Sequence, residues 1–162
     1  MVVGKKGATP AQLEELYRER FAHFVRVATA ICGNAERGRD AVQNAFVSAL
    51  RSRRSFRGDA PLEGWVWRIV VNEAKRESRE PLRDDQATTS NGNGHTADDP
   101  LGIRGWIATL PERQREAVFL RYFADLDYRS IAEALDIEIG TVSATLGAAH
   151  RSLRKSLEEV RP

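Results

Sequence analysis

A single cysteine, Cys32, is the first constraint on this chain of 162 residues. One thiol excludes an intramolecular disulfide and any metal site built from several cysteines. Its place at the end of an apolar helical stretch predicts a small buried hydrophobe. Long hydrophobic runs are missing too. The opening MVVGKKGATP holds no apolar stretch of signal-peptide length, and nothing approaches the roughly 20 apolar residues that span a bilayer. No membrane partner is therefore expected, and a reducing cytoplasm is the expected compartment. The three histidines, His23, His95 and His150, are scattered, and neither a nucleophile constellation nor a phosphate-binding glycine loop accompanies them. The sequence thus points away from an enzyme, a small-molecule substrate, a cofactor or a metal. No stretch alternates with period two, so strands are not expected. Excess charge is also scarce: the formal net charge is +2. Residues 10–80 carry 13 Lys/Arg against 10 Asp/Glu, and residues 101–162 carry 9 against 9. Any nucleic-acid contact must come from local stripes, not from a bulk field.

What is present is helical. Thr9 is placed to cap a helix, with Pro10 in the first turn, where its missing N–H costs nothing, and Gln12 completing a capping box. Leu13, Leu16, Tyr17, Phe21, Phe24, Ala28 and Ile31 follow on one stripe, and Gly33 is the expected terminator. A second helix is predicted from about Ala35 to Arg53, with Val42, Ala45, Phe46, Ala49 and Leu50 inward. A third runs from about Pro61 to Arg79, with Leu62, Trp65, Ile69 and Val70 available for a core.

Residues 80–99, EPLRDDQATTSNGNGHTADD, are polar, hold a single Leu and cannot bury enough apolar surface to offset ordering entropy, which predicts a flexible linker. Helical pattern resumes at Pro100 with Leu101, Ile103, Trp106, Ile107 and Leu110. Pro111 opens a helix carrying Ala117, Val118, Leu120, Arg121, Tyr122 and Phe123. The reading is all-α, two small helical domains (9–79 and 100–158) on a tether, each too small to enclose a cofactor.

Asp127–Leu146, DYRSIAEALDIEIGTVSATL, has the pattern of a helix-turn-helix. Asp127 is placed to cap the first helix, Ile131, Ala132 and Leu135 form its apolar face, and the turn passes through Asp136, Ile137 and Glu138. A second helix begins near Ile139 or Gly140, with Val142, Leu146 and Ala149 inward, and residues 152–160 extend or trail it. Such a unit lays its second helix in the DNA major groove. An ordinary antiparallel helical hairpin fits the same pattern.

The third helix discriminates further. Arg68, Asn72, Lys75 and Arg79 recur at i, i+4, i+7 and i+11 as a polar, mostly cationic stripe, with Trp65 and Trp67 one turn upstream and a loop Ser55–Ala60 before them. Rings that stack on bases, interleaved with cations that hold phosphates, suit an unpaired strand. Tryptophan as core filler beside a solvated basic face is the alternative.

The run Asp40–Arg79 resembles region 2 of extracytoplasmic-function (ECF) sigma factors of the sigma-70 family. The likeness rests on D-x-x-Q-x-x-F at Asp40, Gln43 and Phe46, F-R-G-D-A-P at Phe56–Pro61, and W-x-W-R-I-x-x-N at Trp65–Asn72. Leu110–Leu146 resembles region 4 of the same family. The resemblance implies a subunit that binds core RNA polymerase and promoter DNA, is held by an anti-sigma factor with its two domains packed around the inhibitor, and performs no catalysis. Asp40, Gln43, Asn44 and Val47 match polymerase-docking positions, Asn44 standing where an acidic residue is common. Phe46 is read as core. At the −10 element the family flips a base into a pocket before the third helix. The matching residues are Phe56, Arg57, Gly58, Trp65, Arg68, Asn72, Lys75 and Arg76.

At the −35 element the resemblance implies contacts from Arg121, Gly140, Thr141, Ser143, Ala144, Thr145, His150 and Arg151, with Gly140 and Thr141 offering N–H groups to a phosphate. This chain lacks the family's cations near Ser143, Thr145 and Ala148, which predicts readout through hydroxyls, methyl contacts and phosphates. Asp136 stands where the family often has Gly, at a position that calls for a left-handed backbone. A stand-alone helix-turn-helix regulator and a sigma-like decoy that sequesters a partner are the competing readings.

Overall fold

The computed structural model describes residues 7–81 and 103–160. The expected linker, apart from its first two residues, lies outside these, as do Leu101 and the Pro100 start. All regular structure among the described residues is helical.

The first unit is three long helices, α1 (Pro10–Cys32), α2 (Ala35–Ser52) and α3 (Leu62–Arg79). The Thr9 hydroxyl accepts the Gln12 N–H and the Gln12 side chain accepts the Thr9 N–H, so two first-turn donors are satisfied at once. Gly33 ends α1 at φ 73°, and its N–H donates to the Thr29 carbonyl. Asn34 then caps α2 by accepting from Glu36 and Arg37. After one 3₁₀ turn (Arg53–Ser55) an irregular loop leads to α3.

Aromatic side chains fill the space between these helices. Phe24 and Trp67 are fully buried with centroids 4.4 Å apart, and Phe46 stands edge-on to Phe24 at 5.3 Å and to Tyr17 at 4.9 Å. Burying such rings contributes about 1.5–3 kcal/mol each. The Trp67 indole N–H donates to Glu63, so its polar atom is also satisfied. Four expected inward positions differ. Leu50 is 40% exposed. On α3 the buried face is Val66, Trp67, Val70, Val71 and Ala74, while Leu62, Trp65 and Ile69 pack at its edge. The helix carries apolar residues on most of its circumference, and only tertiary contacts choose among its faces.

The second unit is α4 (Ile103–Thr109), α5 (Glu112–Val118) continuing into one π turn (Phe119–Phe123), α6 (Tyr128–Leu135) and α7 (Ile139–Val160). The π turn inserts a residue into the helical phase and turns Tyr122 outward, 58% exposed, while Phe119 and Leu120 stay buried. Residues 152–160 continue α7.

The two units do not stand apart. α3 packs against α6, and one apolar cluster runs from Leu13 through Trp67 to Ile131 and Leu146. Gly64 sits at the closest approach: a Cβ there would lie 3.0 Å from the Glu133 Cβ and 3.1 Å from the Ser130 carbonyl oxygen. Arg20 bridges the units from α1, donating to Glu63 and to the Ala124 carbonyl, and Arg129 donates to the Asp59 carbonyl at 2.7 Å.

Candidate nucleic-acid interface

The helix-turn-helix forms from local signals. Asp127 accepts the Ser130 N–H at 2.7 Å and starts α6. That hydrogen bond, which favours the charged form, holds the Asp127 carboxyl below its ordinary value. Ile131, Ala132 and Leu135 are buried, and Asp136 ends the helix in the left-handed region at φ 55°. α7 begins at Ile139, with Val142, Leu146 and Ala149 buried.

The start of α7 is open. Gly140, Thr141, Ser143 and Ala144 are exposed and Thr145 is half-buried. One expectation changes: the Thr141 N–H donates to the Glu138 carbonyl at 3.0 Å, closing the first turn, so Thr141 offers its hydroxyl rather than its N–H. Arg121 is drawn into the domain. It donates to the Leu126 carbonyl at 3.0 Å and its guanidinium lies 5.8 Å from the Tyr128 ring centroid. Arg151 is exposed. His150 is exposed and meets the Tyr122 hydroxyl at 2.7 Å. Tyr122 is the residue that sequence reasoning passed over as a site candidate. Its signal was a phenol beside Arg121 in a largely apolar block, where a regular helix would have placed it with the apolar residues.

The residues expected at an unpaired strand divide into two groups. Phe56 and Trp65 form a ring pair, centroids 5.6 Å apart, at the mouth of the loop before α3. Both are half-buried, and Arg57 and Gly58 beside them are exposed. Asn72 is exposed, and so is Arg76, whose guanidinium pairs with Glu73 at 2.6 Å. Arg68 and Lys75 face the other unit. Arg68 lies 2.5 Å from Asp136 and 3.9 Å from Glu133, while Lys75 lies 2.9 Å from Glu116 and 3.8 Å from Glu112. The cationic stripe is real, but two of its members are neutralised by carboxylates of α5, α6 and the turn that follows.

On the far side of α2, Asp40, Gln43, Asn44 and Val47 are exposed together, and Phe46 is buried as expected. The first three help line a polar depression of about 230 Å³ closed on its other wall by Arg37 and Glu77. Arg37 is nearly buried and donates to the Glu80 carbonyl at 2.5 Å, which ties the N-terminus of α2 to the C-terminus of α3. Cys32 donates weakly to the Ala74 carbonyl, and burial pushes its thiol up to about 11, so it is an inert packing residue. Among the described residues no group of three or more His, Cys, Asp or Glu is arranged to hold a metal, and no helix is long and apolar enough to cross a membrane.

A family model described as sigma-70 region 2 matches residues 15–83, and one described as sigma-70, region 4 matches residues 103–153. The ECF RNA polymerase sigma-E factor of Escherichia coli K12 is 30% identical over 139 residues, covering 74% of this chain and 73% of that protein. The chain belongs to the ECF sigma factors. The RNA polymerase sigma-H factor of Pseudomonas aeruginosa is 29% identical over 147 residues, covering 77% of this chain and 75% of that protein. Two solved structures share the fold. CnrH, in complex with the cytosolic domain of CnrY, matches with a TM-score of 0.72 at 18% identity over 95% of this chain and 92% of that one. The sigma factor RpoE of Bartonella quintana, in complex with the anti-sigma factor NepR, matches at 0.68 and 20% identity over 94% and 100%. Sigma factors are initiation factors without catalysis of their own.

Proposed function

We propose that this chain is an alternative sigma factor that binds core RNA polymerase, directs it to promoters and supports strand opening at the −10 element. Residues 9–79 serve the polymerase and the −10 element, and residues 100–158 the −35 element. What carries the reading is the pairing of a region 2 match and a region 4 match in family order with a helix-turn-helix whose second helix begins exposed. A stand-alone regulator leaves the exposed α2 face without a purpose.

Asp40, Gln43, Asn44 and Val47 dock on the polymerase. Phe56, Arg57, Gly58 and Trp65 receive an unstacked base, with Arg68, Asn72, Lys75 and Arg76 on neighbouring phosphates and base edges. Stacking stabilises the open strand by about 1–3 kcal/mol per base, which substitutes for a nucleotide-driven motor. The exposed start of α7 reads the −35 duplex through Ser143, Ala144 and Thr145, with His150 and Arg151 on the flanking backbone and Gly140, Thr141 and Arg121 at its edge. An anti-sigma factor is the proposed regulator, since the similar sigma factor of Bartonella quintana was solved in complex with one, NepR. The cytoplasm is the proposed compartment.

Reconstitution tests this. The chain is mixed with bacterial core polymerase, and transcript starts are mapped on genomic templates. Starts that share upstream elements and vanish when the chain is omitted are expected. A chain that binds duplex DNA but neither co-elutes with core nor yields such starts belongs to the stand-alone class.

A further inference from the structure

Four arginines stand within seven residues where α2 gives way to the loop before α3: Arg51, Arg53, Arg54 and Arg57. Arg51, Arg54 and Arg57 are exposed and Arg53 is half-buried. Among the described residues none of the four meets a carboxylate at ion-pair distance. Arg68, Lys75 and Arg76 on α3, by contrast, each meet one. A cation in the last turn of a helix complements its dipole, and Arg51 alone does that for α2. Four such charges side by side repel one another, and an anion brought among them relieves the repulsion.

The backbone that carries them is held from both sides. The Arg53 carbonyl accepts the Ala8 N–H at 2.8 Å and the Phe56 N–H at 3.4 Å. One oxygen thus joins the stretch before α1 to the first ring of the base loop. Ala8 is buried, and Gly7 lies so near the turn that an added Cβ would come within 2.7 Å of the Arg54 Cα. Ser52 and Ser55 donate their hydroxyls to the Ser48 and Ser52 carbonyls, each at 2.7 Å. A turn fixed in this way presents its guanidiniums without the cost of ordering a loop on binding.

We propose that this turn is a phosphate site, separate from the stripe on α3, in which Arg51, Arg53 and Arg54 hold the backbone of the unpaired strand on the α2 side of the Phe56–Trp65 pair. The identity of the strand rests on the promoter reading, whereas the anion preference rests on the turn itself. A guanidinium takes a phosphate through two parallel N–H bonds. Arg53 gives one N–H to the Leu50 carbonyl at 2.8 Å and keeps the rest of its fork. The segment that offers rings to a base therefore also offers charge to the adjoining phosphates. Phosphates carry no sequence, so the turn adds grip and leaves base choice to the ring pair.

The chain is assembled with bacterial core polymerase, and anisotropy follows two fluorescein-labelled single strands, one thymine-rich and one of mixed sequence, across a salt series. Arg51→Gln/Arg53→Gln/Arg54→Gln removes the three charges, and Arg51→Lys/Arg53→Lys/Arg54→Lys keeps them. Circular dichroism and co-elution with core establish that each variant folds and docks. Arg54→Gln, at an exposed position without a side-chain hydrogen bond among the described residues, serves where the triple change unfolds the chain, and should lose about a third of the effect. The slope of log affinity against log salt is expected to fall by about two in the glutamine variant, at roughly 0.7 for each of three phosphates. A fourfold rise in salt then costs wild type roughly sixteenfold more than the variant. The loss is equal on both strands, and the lysine variant keeps the slope. An unchanged slope overturns the proposal. So does a loss confined to one strand, which makes the turn a base reader, or a loss of co-elution, which assigns it to the polymerase. Transcript starts by wild type with core report the promoter reading separately: a chain that yields none fails that reading, while the salt slope still reports the turn.

Discussion

Tyr122 and His150, 28 positions apart in sequence, meet hydroxyl to ring nitrogen at 2.7 Å on the outer face of the helix-turn-helix unit. Both are exposed, so the bond contributes little to stability but holds the imidazole to one side of α7. Because α7 begins without a cation, the orientation of this imidazole bears on any duplex contact the helix makes. Tyr122→Phe is expected to change the unfolding free energy measured in urea by less than about 0.5 kcal/mol. The same variant should weaken binding to a −35 duplex by about 1 kcal/mol, the size of one hydrogen bond. Fluorescence anisotropy on the duplex, repeated with His150→Ala, checks this; equal affinity for all three proteins would remove both residues from the interface.

The two tryptophans of α3 separate stability from function. Trp67 is fully buried between Phe24 and Glu63, so Trp67→Ala should cost about 3–5 kcal/mol in chemical denaturation. Phe56 is only half-buried against Trp65. Phe56→Ala should cost much less stability yet reduce strand capture with core polymerase by about 1–3 kcal/mol. Permanganate reactivity of promoter thymines measures the second effect. Unchanged reactivity in Phe56→Ala would move the base pocket elsewhere.

Asp127 links acid sensitivity to one helix cap. Its folded carboxyl titrates below the ordinary value of 3.8, chiefly because the Ser130 N–H bonds the charged form. The sign follows directly: the stabilisation is present above the unfolded value and is lost as pH falls through the folded one. Asp127→Ala should cost about 1 kcal/mol at neutral pH and flatten the decline of stability below pH 3.8. Thermal melts across that range distinguish the two curves. A loss that stays constant into strong acid would rule out the carboxylate as its source.

His23 acts at a higher pH. Burial lowers its pKa from 6.5, with Arg20 and Arg26 adding repulsion, and its Nδ1 has no hydrogen-bond partner among the described residues. Because the folded value lies below the unfolded one, the folded state resists protonation. Stability is complete above pH 6.5 and declines as pH falls toward the folded value. His23→Gln should remove that part of the decline, which denaturant titrations on either side of pH 6.5 measure.

The helix termini were legible because caps are local. Thr9 with Gln12, Gly33, and Asp127 each act within one turn, and each lies where the pattern placed it. The helix-turn-helix followed for the same reason, down to Val142, Leu146 and Ala149. What escaped were choices made by distant partners. Leu50 fits the apolar period of α2, yet no neighbour covers it fully. Arg68 and Lys75 fit a solvated cationic stripe until α5 and α6, more than thirty positions away, bring carboxylates to them. Asp136 stands in a left-handed turn, which Asp tolerates better than most residues but at some cost relative to glycine. Its bond to Arg68 supplies a reason for a carboxylate that no local rule contains.

Gly64 gives position 64 a diagnostic value in comparisons across the family. On α3 taken alone, a larger side chain there raises helix propensity and meets nothing within the helix. The approach of Ser130 and Glu133, at 3.0–3.2 Å from an added Cβ, crowds it. A relative with leucine or lysine at the equivalent helical position must hold its two halves farther apart or at another angle. One with glycine or no Cβ-sized obstruction retains the freedom to shut. The residue at this single place thus serves as a sequence-readable marker of which family members fold back on themselves in this way.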